Sequence, residues 1–121
     1  MSRVLVVDDC DVVRQAVVRV LERAGHEVES ASSGAVALGL VRRAAPDLVV
    51  TDVRMPSMDG VQLHREVCAL LGSEGPAVLF ISGSPVDEVR ARVGPRGRVG
   101  FLQKPFDVDR LAAQVEVLLD A

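Results

Sequence analysis

Five short apolar runs, each followed by a stretch of helical periodicity, constrain this chain more than any other feature. The runs cover residues 4–7, 27–31, 48–51, 77–81 and 99–103. Val4-Leu5-Val6-Val7, Leu48-Val49-Val50 and Val78-Leu79-Phe80-Ile81 are apolar without alternation. Strands of that kind bury both faces, as in a parallel sheet covered by helices on each side. Between the runs, apolar residues recur at helical spacing. They are Val13, Val17, Val20 and Leu21, then Val36, Leu40 and Val41, then Val61, Leu63, Val67 and Leu70, and finally Leu111, Val115 and Leu118. Gly25 suits a left-handed cap after the first helix, and Pro46 stops the second before the third strand. Residues 85–93 are few and lead into Gly94-Pro95-Arg96-Gly97, which predicts a stunted or mobile fourth helix.

Strands alternating with helices predict an α/β fold with right-handed crossovers. Five such units suit a flavodoxin-like three-layer (βα)5 sandwich with a parallel five-stranded sheet of order 2-1-3-4-5. The 121 residues fit one domain over 1–121. A net charge of −3 gives no basic footprint for direct nucleic-acid binding. No apolar run nears the ~20 residues of a membrane span, so membrane insertion is not expected. The start of the chain lacks the apolar region of a signal peptide, and a cytoplasmic location is expected. Cys10 and Cys68 form no CxxC pair and read as free thiols.

In the order 2-1-3-4-5, strands one and three are neighbours, and ligands bind beyond their carboxyl ends. Strand one ends in Asp8-Asp9, strand three in Thr51-Asp52, strand four in Ser82 and strand five in Lys104-Pro105. Three gathered carboxylates repel one another and call for a cation. Oxygen ligands from few carboxylates suit Mg²⁺, which takes its remaining ligands from water and phosphate. No Cys/His set at zinc spacing competes. Lys104 offers a compact positive charge and Ser82 a hydroxyl donor. Together these are the parts for phosphoryl transfer to an Asp. Taken singly, each has a plainer explanation: Asp8-Asp9 as a cap or turn, Asp52 as a turn residue before Met55-Pro56, Ser82 as an N-cap, Lys104 as a solvated lysine. Lys104 nevertheless stands out, because it is the one lysine among 14 basic residues.

The runs Val4-Leu5-Val6-Val7-Asp8-Asp9, Pro46 to Gly60 with Asp52-Val53-Arg54-Met55-Pro56-Ser57-Met58-Asp59-Gly60, Leu79-Phe80-Ile81-Ser82-Gly83, and Gly100-Phe101-Leu102-Gln103-Lys104-Pro105-Phe106 resemble the response-regulator receiver family over essentially the whole chain. The resemblance implies a switch rather than a turnover enzyme. Asp52 would accept a phosphoryl group from a histidine kinase, a histidine phosphotransfer domain or a small phosphodonor, and the chain would later dephosphorylate itself. Asp9 would bind Mg²⁺ directly, Asp8 closely or through water, with Asp52 and the backbone carbonyl of Arg54 completing the protein ligands. Ser82 and Lys104 would hold the phosphoryl oxygens. Phe101 would be the switch aromatic, turning inward as Ser82 moves, and the surface of the fourth helix, fifth strand and fifth helix would change. The Lys104–Pro105 bond would be cis. The resemblance also allows a homodimer on phosphorylation and leaves the output partner open. Ser82 stands where many members carry Thr, Gly83 where many carry Ala, and Phe101 where Tyr is more frequent. The wording around Ser82 and Lys104 looks most like receivers of hybrid sensor kinases.

Three rivals share these features. A phosphorylation-independent module of the same fold would be favoured by loss of the acid pair, Asp52 or Lys104, and none is lost. A haloacid-dehalogenase-type hydrolase needs a second acid two residues beyond its nucleophile, where this chain has Arg54. A flavodoxin-like electron carrier lacks support, since no Ser/Thr-rich phosphate loop is present and no Trp or Tyr could cover a flavin. His26 sits in the turn expected after the first helix and His64 lies among polar residues of the third, so both are expected at the surface, and Cys10 is expected simply to start a helix.

Overall fold

A computed structural model describes residues 2–72, 74–95 and 97–120. Met1, Arg96 and Ala121, which entered the reading of the start, the turn before the fifth strand and the end of the chain, lie outside the described residues. The order is β1 (Arg3–Val7), α1 (Asp11–Arg23), β2 (Glu27–Ala31), α2 (Gly34–Arg43), β3 (Leu48–Asp52), α3 (Gly60–Leu71), β4 (Ala77–Ser82), α4 (Val86–Val93), β5 (Val99–Gln103) and α5 (Val108–Asp120). All strands pair in parallel, in the order β2-β1-β3-β4-β5. The predicted architecture is the one observed.

The continuous apolarity of the central strands has a direct cause. Successive strand side chains point to opposite faces, and here both faces are covered. Leu5, Val7, Val49, Val78 and Phe80 join one buried cluster with residues of α2, α3 and α4. Val4, Val6, Leu48, Val50, Ala77, Leu79 and Ile81 join a second with residues of α1 and α5. The edge strand β2 differs, with Glu27 and Glu29 exposed. Charges on an edge strand discourage pairing with another chain.

Helix boundaries follow local chemistry. Gly25 takes φ +95° after α1. Asp59 caps α3, its carboxylate accepting from the Gln62 N–H at 2.8 Å while the Gln62 side chain accepts from the Asp59 N–H at 2.9 Å, a capping box. Cys10 is the exposed N-cap of α1, as expected, and makes no side-chain capping bond. α4 is stunted as read, at 8 residues with only Val89 and Val93 buried.

Two apolar stripes need correction. Val36 of α2 is 50% exposed and Leu70 of α3 is 43% exposed. The buried face of α2 runs through Ala37, Leu38 and Val41 instead. Six of the ten residues Gly34–Arg43 are Ala, Val or Leu, so periodicity alone does not choose the face.

His64 is also not at the surface. It is 2% exposed and packs edge-on with Phe80 at 5.5 Å between ring centroids. Its sequence neighbours Gln62, Arg65 and Glu66 are polar. Its helical neighbours at three and four residues are Val61, Val67 and Cys68, and those set its environment. The His26 side chain is 8% exposed and shares a 3.1 Å hydrogen bond with Glu116 of α5, so it bridges two elements rather than facing solvent.

Ser57 is the non-glycine residue with positive φ among the described residues, at 67°. The Met58 N–H donates to the Pro56 carbonyl at 2.8 Å across it, closing a three-residue turn of the strained hand. Removing that strain by Ser57→Gly is expected to raise stability by about 0.5 kcal/mol, the relief being partly offset by glycine's greater entropy loss. Ser57→Val is expected to lower it by about 1–2 kcal/mol, because a β-branched side chain fits positive φ worst. The midpoints of urea unfolding for the two variants, on opposite sides of wild type, check this.

Candidate functional site

The carboxyl ends of β1, β3, β4 and β5 deliver the predicted residues to one edge of the sheet. In register, Val7 faces Thr51, Asp52 faces Ile81, and Ser82 faces Gln103. Asp8 follows Val7, and Lys104 follows Gln103. Carboxylate oxygens of Asp8, Asp9 and Asp52 all lie within 4.8 Å of one another. The Lys104 Nζ stands 3.4 Å from Asp52 Oδ2, and the Asp52 side chain keeps 12% of its exposure. Asp52 is thus reachable from solvent yet held mainly by its neighbours.

Asp8 is buried and Asp9 exposed. Burial is the largest influence on Asp8 and pushes its carboxyl above the ordinary value. The Asp52 and Asp9 charges push the same way, and the Cys10 N–H, at 2.9 Å from Oδ1, and Lys104 only partly offset them. A half-desolvated cluster of hard oxygen donors, short of positive charge, fits a small divalent cation such as Mg²⁺.

Ser82 is 4% exposed, and its Oγ accepts from the Ser84 N–H at 2.9 Å. A hydroxyl that accepts one bond still has its own proton to donate. Gly83 faces open space on its Cβ side, so nothing there narrows the approach. The Lys104–Pro105 bond is cis, and the Lys104 N–H donates to the Ser82 carbonyl at 2.7 Å. Phe101 is half-buried against the α2–α3–α4 cluster. Its ring stacks on Phe80 at 5.6 Å, and the Arg90 guanidinium lies 5.0 Å from its centroid on α4. Arg54 is exposed in the loop after Asp52.

Three contributors were not evident from sequence roles alone. Arg14 of α1 donates to the Asp8 carbonyl at 2.9 Å and pairs with Asp11 at 2.6 Å, bracing the acid pair. The Thr51 hydroxyl donates to the Asp52 carbonyl at 2.9 Å. Gly60, the first residue of α3, presses so closely on Asp52 that a Cβ there would collide with the Asp52 carbonyl oxygen. Only the Gly within Asp59-Gly60 gave a signal, and a glycine before a helix does not say what approaches it.

Comparison with known proteins fits this geometry. Residues 4–116 match the family model of the response regulator receiver domain. The chain is 40% identical over 119 residues to the response regulator MprA of Mycobacterium sp. strain KMS, covering 97% of this chain and 50% of that protein. It is 38% identical over 123 residues to the sensor kinase CckA of Brucella abortus, covering 98% of this chain and 13% of that protein. The chain therefore spans half or less of these relatives. Among solved structures, the Vibrio cholerae chemotaxis protein CheY4 superimposes with a TM-score of 0.90 at 31% identity, covering 98% of both chains. No described helix is long and apolar enough to cross a membrane.

Proposed function

The chain belongs to the response regulator receiver family, and from that premise we propose that it is a phosphorylation-dependent signalling switch whose phosphoacceptor is Asp52. One observation carries the reading: Asp52 lies 3.4 Å from the single lysine of the chain and within reach of two further carboxylates at the sheet edge.

An Asp52 carboxylate oxygen attacks the phosphorus of the donor, a phosphohistidine on a kinase or phosphotransfer domain or a small acyl phosphate. The new O–P bond forms as the donor's P–N or P–O bond breaks, and the leaving group keeps the electron pair. Little of this requires acid–base work from the protein, so positioning and charge dominate. Lys104 pairs with the phosphoryl oxygens, and Ser82 donates its hydroxyl proton to one of them. Mg²⁺, when held by Asp8, Asp9, Asp52 and the Arg54 carbonyl, would offset the negative charge on donor and acceptor. Water then attacks the phosphorus of the aspartyl phosphate, the Asp52 O–P bond breaks with its electron pair kept by the carboxylate, and inorganic phosphate leaves.

The added charge biases a two-state element. Ser82 drawn toward the phosphoryl group shifts the β4–α4 loop through Ser84, and Phe101, already stacked on Phe80 and in contact with Arg90, turns further inward. The surface of α4, β5 and α5 then presents a different face to an output partner or to a second copy. Incubation of wild type and Asp52→Asn with acetyl phosphate and Mg²⁺, read by intact mass, tests the proposal. Wild type is expected to gain one phosphoryl group and the variant none. Equal uptake would remove Asp52 from its role, and no uptake by either would favour a phosphorylation-independent module.

A further inference from the structure

α4 is the shortest helix of the fold, at 8 residues. It buries Val89 and Val93, and its N-cap Pro85 supplies no side-chain capping bond. Two ties from α3 compensate at its C-terminal turn. Arg92 pairs with Asp59 Oδ2 at 2.6 Å, and the Arg65 guanidinium donates to the Arg92 carbonyl at 3.2 Å. Asp59 is no ordinary surface partner. Its other oxygen caps α3 at Gln62. The next residue, Gly60, donates its N–H to the Val53 carbonyl at 2.8 Å and touches the Asp52 backbone. Burial alone would raise the Asp59 carboxyl. The hydrogen bond from Arg92, with the Gln62 N–H, outweighs burial and holds it below the ordinary value. The pair is short and charge-assisted, with the Asp59 side chain 24% exposed.

We infer that Arg92 is a positioning residue for the acceptor loop: through Asp59 it fastens the segment between Asp52 and α3 to the last turn of α4. This route is separate from the one through Ser82 and Phe101, since it leaves the sheet edge by β3 and α3 rather than β4 and β5. It deepens the reading of Asp52 as phosphoacceptor and rests on that reading for its role in signalling. Coupling of this kind is reciprocal. Occupation of the carboxylate site stiffens α4, and whatever grips α4 tightens the site for its cation.

The test compares wild type with Arg92→Gln, Arg92→Lys, Asp59→Asn and the Arg92→Gln/Asp59→Asn double variant. Asparagine caps a helix as well as aspartate does, so Asp59→Asn spares α3. Amide hydrogen exchange without divalent cation is read at residues 86–93 of α4 and at 53–60 of the loop. Each of Arg92→Gln and Asp59→Asn is expected to speed exchange roughly three- to fivefold in both segments, with little added by the double variant. Arg92→Lys is expected to restore part of the protection. The Mg²⁺ dissociation constant, from titration by NMR, is expected to rise by a similar factor in both single variants. Acceleration confined to α4, with loop exchange and Mg²⁺ affinity unchanged, would overturn the inference, as would fully additive effects in the double variant. If wild type binds no Mg²⁺ and takes up no phosphoryl group, the phosphoacceptor reading fails, while the metal-free exchange still decides whether Arg92 positions the loop.

Discussion

Gly60→Ala is expected to lower stability by about 2–3 kcal/mol and to blunt phosphoryl uptake from acetyl phosphate well below the wild-type rate, the larger loss being at the site. Overpacking a close contact costs about 1–3 kcal/mol when neighbours shift to relieve it. Here the neighbours have little freedom. The Asp52 carbonyl already accepts from Thr51, the Gly60 N–H is bonded to Val53, and the Val53 N–H is bonded in turn to Ile81. Relief must come from moving α3 away or rotating the peptide after Asp52, and either displaces the acceptor carboxylate from Lys104. Displacement by about 1 Å at a reacting group can cost on the order of a hundredfold in rate. Urea unfolding and time-resolved intact mass measure the two effects separately. A variant that unfolds like wild type would show that the contact is soft.

Asp8→Asn should do the opposite to stability. In the absence of divalent cation it is expected to stabilise the fold by about 1 kcal/mol at neutral pH, the scale on which active-site residues trade stability for function. The sign follows from the direction of its shift. Folding raises the Asp8 carboxyl above its ordinary value of 3.8, mainly by burial. The folded chain therefore binds this proton more tightly than the unfolded chain. Stability contributed by Asp8 is complete below 3.8 and lost as pH rises through the raised folded value. At neutral pH the wild type carries a buried charge that asparagine removes. Asparagine's own oxygen can still accept from the Cys10 N–H. Added Mg²⁺ should reverse the ranking. A ligand at a hundred times its dissociation constant stabilises by about 2.7 kcal/mol, and only the wild type should collect that gain. Urea midpoints with and without Mg²⁺ read both effects. Equal midpoints and an equal Mg²⁺ response for the two proteins would show that Asp8 neither strains the fold nor holds the cation.

The strands and the site were legible in the chain for different reasons. Val4–Val7 and Leu48–Val50 could be read because burial on both faces leaves an unbroken apolar run, which no half-exposed strand would tolerate. Asp8, Asp52, Ser82 and Lys104 could be read because each follows such a run directly, and a parallel sheet puts all carboxyl ends on one edge. What escaped reading lies on the helices. Helical spacing places Val36 and Leu70 in the core, and linear neighbours place His64 at the surface, and all three prove otherwise. α2 is apolar nearly all round, and α3 buries a wider arc than its strongest stripe. In each case the face is chosen by the sheet and adjacent helices, not by the helix itself.

Local sequence thus determined which segments are strands, in what order they alternate with helices, and which carboxylates, hydroxyl and ammonium meet at the sheet edge. Those properties depend on short-range periodicity and on a topology with few alternatives. Tertiary structure alone decided that Gly60 touches the Asp52 backbone, that Phe101 stacks on Phe80 and meets Arg90, and that Arg92 reaches Asp59 across 33 residues of chain. These contacts depend on the distance between packed elements to within an ångström, and no pattern of residue types along a chain encodes such a distance.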